Sequence, residues 1–146
     1  WEKVWNPSGP VKFALGLIFV AVGFFALSYG SLSIPQGAKT ATVSMIWLIL
    51  AYFFHTLGEL CLSPVGLSYV SKLSPKKFVG LLFGFWFTAS AIANYIAGYT
   101  GAYIDKISAM YSLSTFFIII AALPLSAALM LLLFNKKLVK MMHGIK

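Results

Sequence analysis

Tyr52-Phe53-Phe54-His55-Thr56-Leu57-Gly58-Glu59-Leu60-Cys61-Leu62-Ser63-Pro64 sets one carboxylate inside an apolar stretch, with no basic residue nearer in sequence than Lys72. Burying an ionised carboxylate at the centre of a bilayer costs about 2.5–3.5 kcal/mol even on the lenient insertion scales. Glu59 is therefore expected to face a bundle interior or a water-filled cavity, and it is the first candidate functional residue. Pro64 lacks the N–H that the Leu60 carbonyl would accept, and its ring crowds that carbonyl. A helix broken or kinked beside Glu59 is expected, an arrangement that membrane folds use to mark binding sites.

Working outward, a length of 146 residues alone would suit one soluble domain. Composition overrules this. The chain is 60% hydrophobic and 10% charged, with a mean hydropathy of +0.91. Several apolar runs exceed the length needed to cross a bilayer. The fold class is an all-α membrane protein with four transmembrane helices, at about 11–29, 43–73, 78–104 and 110–134. The second run is longer than one crossing needs, so it must tilt, bend at Pro64 or protrude. Trp1–Pro10 reads as a turn (Asn6-Pro7-Ser8-Gly9-Pro10), and residues 30–42 as a loop. Gly16 and Gly23, seven residues apart in the first run, suit close helix–helix contact. Beginning at Trp1, the chain is expected to be a piece of a longer protein.

The net charge of +8 comes from eleven lysines against Glu2, Glu59 and Asp105. With four spans, Lys3, Lys12, Lys72, Lys76, Lys77, Lys136, Lys137, Lys140 and Lys146 fall on one side, and only Lys39 and Lys106 on the other. The positive-inside rule then makes both ends and the 72–77 turn cytoplasmic. Lysines gathered at span ends describe topology, and a nucleic-acid partner is not expected. A single cysteine, Cys61, excludes an intrachain disulfide.

At 100° per residue, Tyr52, His55, Thr56, Glu59, Ser63 and Gly66 share one face of the second span. Such a polar stripe points to a cavity or, alternatively, to a hydrogen-bond network between helices. His55 and Glu59 suggest two metal ligands, but Cys61 projects to nearly the opposite face. Since a zinc enzyme would want three or four converging ligands, no metal is expected. His55 reads as a hydrogen-bonded polar residue beside the cavity. On the third span Trp86, Ser90 and Asn94, with Ala93 and Ala97, form a second stripe. Trp86 lies nine residues beyond Lys77, about 13 Å along a helix, too deep for an interface belt, so a pocket wall is favoured over packing. There is no GxSxG, HExxH or phosphate-binding glycine loop, and no enzyme is expected.

Gly58-Glu59-Leu60-Cys61-Leu62-Ser63-Pro64-Val65-Gly66-Leu67, followed by Ser74-Pro75 and Gly84-Phe85-Trp86-Phe87, resembles the proton-dependent oligopeptide transporter family of the major facilitator superfamily. Asn6-Pro7-Ser8-Gly9-Pro10-Val11-Lys12-Phe13-Ala14-Leu15-Gly16 resembles the approach to that family's ninth helix. The likeness runs from about Pro7 to Ala97 and makes the four spans helices nine to twelve, part of the C-terminal six-helix bundle. It implies proton-coupled symport of di- and tripeptides across the plasma membrane, with the proton as coupling ion and no other cofactor. It also implies that Glu59 meets the peptide's amino group, and that Ser63, Trp86, Phe87 and Ser90 line the same pocket. The remaining N-terminal helices of the transporter and the lipid bilayer are the implied partners. The alternatives are a non-transporting membrane scaffold or subunit, and a same-fold carrier of another solute such as nitrate.

Overall fold

A computed structural model describes residues 7–35 and 42–142, the side chains of Ser108 and Ala109 excepted. Most of the opening turn, part of the 30–42 loop, and the lysines at 3, 39 and 146 lie outside the described residues. The chain forms α1 (Gly9–Ser31), α2 (Ile46–Leu73), a single 3-10 turn at Lys76–Phe78, α3 (Val79–Ala102), α4 (Ile104–Met110) and α5 (Leu113–Met141). Counting the 3-10 turn with α3, four of these helices are long and apolar enough to cross a membrane. This is an all-α membrane protein.

α1 starts at Gly9, with Pro10 in its first turn, where a missing N–H costs nothing. Ser8 precedes it, and its hydroxyl donates to Asn135 Oδ1 of α5 at 2.8 Å rather than capping the helix. α5 is capped by Ser112, whose Oγ accepts from the Thr115 N–H at 3.2 Å. The end expected to close at residue 134 continues as helix to Met141, carrying Lys136, Lys137 and Lys140. Residues 105–109, expected between the third and fourth spans, lie within α4.

Pro64 does not break α2, which runs as one helix from Ile46 to Leu73. Of the break or kink expected beside Glu59, the break is absent. Proline removes one donor and crowds one carbonyl, and an apolar helix held along its flank absorbs that loss. α5 likewise continues through Pro124. The flank that holds α2 is α1, which sits between α2 and α5.

Two rows of small residues on α1 make this possible. Gly9, Gly16, Gly23 and Gly30 recur every seven residues and face α2. A Cβ on Gly9 would meet the Tyr69 ring; one on Gly16, Leu62 Cγ at 2.7 Å; one on Gly23, His55 at 2.5 Å; and one on Gly30, Trp47 at 2.7 Å. Each step of seven along α1 is thus answered by a step of seven or eight back along α2. Gly58 returns the contact, since a Cβ there would lie 2.6 Å from Val20 Cγ2.

The second row is Ala14, Ala21 and Ser28, matched on α5 by Ser114, Ala121 and Ala128, all buried. Ser28 Oγ lies 2.7 Å from Ser114 Oγ and 3.1 Å from its carbonyl, fixing an antiparallel register that sets Ala21 opposite Ala121 and Ala14 opposite Ala128. A seven-residue repeat suits helices crossing at about +20°, and small side chains let their backbones approach. With α1 between its two neighbours, these helices form the packed part of the molecule. α3 buries no residue.

Candidate functional site

The row of α2 that faces α1 decides where the polar arc points. Ala51 and Gly58 are buried in that interface, so the arc of Tyr52, Thr56, Glu59 and Ser63 turns away from it. Tyr52, Thr56 and Glu59 are exposed and Ser63 is half-buried. Thr56 donates its hydroxyl to the Tyr52 carbonyl at 2.8 Å, satisfying itself within the helix. Glu59 forms no ion pair or hydrogen bond with any described residue.

His55 differs from the expectation for it. It lies at the edge of the arc and turns into the α1 interface, against Gly23, the backbone of Val20 and the Phe24 ring, whose centroid is 4.6 Å away. Its Nε2 is buried without a hydrogen-bond partner among the described residues. The expected satisfied histidine beside the cavity is instead an interface residue. The cause is the missing side chain at Gly23, which opens room there for an imidazole. Cys61 also faces α1, with its Cβ close to Gly16. His55, Glu59 and Cys61 therefore do not converge.

α3 meets α2 at Trp86, whose indole lies over Gly66. Gly66 follows Ser63 by three residues and Glu59 by seven, about 4.5 and 10.5 Å along the axis. Trp86 is thereby placed on the Lys72 side of the carboxylate, within a turn of Ser63. One turn on, Ser90 donates its hydroxyl to the Trp86 carbonyl at 3.0 Å. Phe87 is 61% exposed, and Ser90 and Asn94 are exposed as well. Trp86 and Ser63 are therefore brought to neighbouring turns, while Phe87 and Ser90 stand on open surface of α3.

A cleft of about 490 Å³ opens between α2 and α3 on the Lys72 side of Trp86. Phe13, Gly66, Tyr69, Val70, Leu82 and Phe85 are among the residues that line it with Trp86. Glu59, Ser63, Phe87 and Ser90 do not line it. Sequence reasoning missed the contribution of α1, through Phe13. The signal lay in the glycine row, since Gly9 and Gly16 bring that part of α1 onto Tyr69 and Leu62.

Such features define a multi-pass helical membrane protein with a carboxylate, unpaired among the described residues, on a polar arc in mid-span and an aromatic side chain two turns away. Residues 1–119 match the POT family, and the chain belongs to that family. It is 36% identical over 133 residues to the peptide transporter YePEPT of Yersinia enterocolitica, covering 90% of this chain and 26% of that protein. It is 40% identical over 109 residues to the uncharacterised transporter YclF of Bacillus subtilis, covering 73% of this chain and 21% of the relative. It is 38% identical over 94 residues to dipeptide and tripeptide permease A of Escherichia coli, covering 62% of this chain and 17% of that permease. The chain thus spans between 17% and 26% of the length of these curated relatives.

Proposed function

We propose that this chain is part of the C-terminal bundle of a proton-coupled symporter for di- and tripeptides. The observation that carries the reading is Glu59, exposed on α2 and free of any cationic partner among the described residues, in a chain of the POT family. A carboxylate so placed suits a peptide's ammonium group. A charge-assisted hydrogen bond to it is worth roughly 1.5–3 kcal/mol. In this reading Ser63 and Trp86, on neighbouring turns beyond Glu59, and Phe87 and Ser90 on the facing helix line the cavity that the rest of the transporter completes. Walls of that kind hold a ligand by its common ends while tolerating varied side chains.

In this reading the rest of the transporter closes the cavity opposite α2 and α3, and rocking of the two bundles exposes it to each side in turn. The lysine-rich ends lie in the cytoplasm, the membrane is the plasma membrane, and the proton gradient drives uptake. A scaffold reading would require Glu59 to be held permanently by a Lys or Arg of a partner. Uptake by proteoliposomes of the full-length protein separates the two. The symporter reading expects labelled dipeptide to accumulate under an inwardly directed proton gradient and to leak away when a protonophore is added. A protein that inserts correctly and yet accumulates no peptide under the gradient overturns it.

A further inference from the structure

His55 is a titratable group in the seam between α1 and α2 that the reading above leaves unused. Its Cδ2 and Nε2 stand 2.5 and 2.6 Å from the point that a Cβ on Gly23 would take, and the Phe24 ring centroid is 4.6 Å from its own. Nε2 is buried and has no hydrogen-bond partner among the described residues. The ordinary explanation is packing, an aromatic ring filling the space above a glycine. Packing alone does not ask for a nitrogen there. A buried polar atom without a partner costs stability, and a phenyl ring would fill the same space without that cost.

The seat suits the neutral ring and not the charged one. A neutral imidazole carries one N–H and one bare nitrogen, whereas the imidazolium must donate from both. α1 brings Val20, Gly23 and Phe24 against the ring, and none of them titrates or carries a charge. A proton on Nε2 would therefore face Gly23 with no acceptor among the described residues. The pull of the tilted Phe24 ring on a cation is smaller than the cost of taking that cation out of water. On α2 itself the titratable neighbours are Tyr52, three residues back, and Glu59, four residues on, both exposed. Residues four apart on a helix are neighbours, so a ring turned out of the seam comes within reach of the Glu59 carboxylate. His55 is only half-buried, and Gly23 is the wall that it would leave.

We propose that His55 is a proton-operated latch between α1 and α2: neutral, it seats on Gly23 and holds the seam, and protonated, it leaves the seam and pairs with Glu59. The inference involves no peptide and does not depend on what the transporter carries. It gives the α1–α2 interface a conformational switch that acid turns.

Thermal unfolding of the full-length transporter in detergent, without substrate, is the test. It is run between about pH 7.5 and 5.5, within the range where histidine ordinarily changes charge. The open seam takes up a proton that the seated ring excludes, so stability should fall as pH falls. Wild-type protein should lose about 2–4 °C more in Tm over this range than His55→Gln, which keeps a polar end and cannot charge. Gly23→Ala fills the seat while leaving His55 in the chain. Its Tm should start below that of the wild type in neutral buffer and then follow the flatter course of His55→Gln. A wild-type Tm that moves with pH no more than that of His55→Gln overturns the proposal. So does a Gly23→Ala variant that keeps the whole acid loss of the wild type, and this comparison decides the matter if His55→Gln folds poorly.

Discussion

The indole of Trp86 lies over the Cα of Gly66, in the space where any other residue at 66 would place its Cβ. Past the Ser74–Phe78 turn, this contact ties α3 to α2. It also fixes the aromatic wall at a known height on the helix that carries Glu59. A glycine on α2 is thus as much part of the site as the tryptophan on α3.

Removing the indole tests the wall directly. Trp86→Ala in the full-length transporter should weaken dipeptide binding by several-fold to about tenfold, in line with the 0.5–1.5 kcal/mol of a specific aromatic contact. Expression and insertion should stay near normal, because Trp86 is only half-buried and α3 buries no residue. Equilibrium binding on the monodisperse fraction is the measurement. A variant that aggregates, while its folded remainder binds as the wild type does, would make Trp86 a packing residue.

The interface between α1 and α2 makes a prediction of another kind, because its glycines do not all face the same sort of neighbour. A Cβ on Gly58 would stand 2.8 Å from the Gly16 carbonyl, which is backbone and has nowhere to go. A Cβ on Gly23 would meet the His55 ring at 2.5 Å, which can swing aside, and would stand 3.1 Å from the Ala51 carbonyl, a milder backbone contact than that at Gly58. Gly58→Ala should therefore destabilise by about 1–3 kcal/mol, the usual penalty of overpacking. Gly23→Ala should cost distinctly less. Thermal unfolding of both variants in detergent gives the comparison, and equal losses would mean that the backbones part as readily as a ring rotates.

How far the sequence foretold this arrangement depends on the kind of interaction. The four spans were legible because a bilayer demands long apolar runs, and Glu59 stood out because its charge is expensive there. The polar arc could be drawn from the helical period alone. Which helices pack together could not. The row Ala14, Ala21, Ser28 acquires meaning only opposite Ser114, Ala121 and Ala128, and nothing in one row names the other. His55 was placed on the arc by its angle. Its actual direction depends on the space above Gly23, a property of a different helix. Pro64 was expected to break or kink α2, and the break is absent because the local penalty was counted without the flank that α1 supports.

Topology gives a prediction that needs no ligand. The lysine-rich ends are expected in the cytoplasm. In a full-length protein lacking Cys61, cysteine at position 76 should therefore be closed to a membrane-impermeant thiol reagent applied outside intact cells. Cysteine at 106, within α4, should react. External labelling at 76 with protection at 106 would invert the assignment and place the Trp86 cleft at the outer end.

Glu59→Gln is the sharpest test of the site, since it keeps size and a hydrogen-bonding end while removing the charge. If Glu59 holds the ammonium of a bound peptide, the variant should lose roughly tenfold to a hundredfold in affinity for peptides with a free amino end, the value of a charge-assisted hydrogen bond. N-acetylated peptides cannot place a cation there. Their weaker binding should change far less. If Glu59 instead belongs to a hydrogen-bond network between helices, the variant should be less stable and the two peptide types should be affected alike. The pairing is therefore the measurement: a dipeptide and its N-acetyl derivative, each titrated into wild type and variant. A loss confined to the free amine assigns the ammonium to Glu59. Equal losses for both peptides would move the amino end to another part of the transporter.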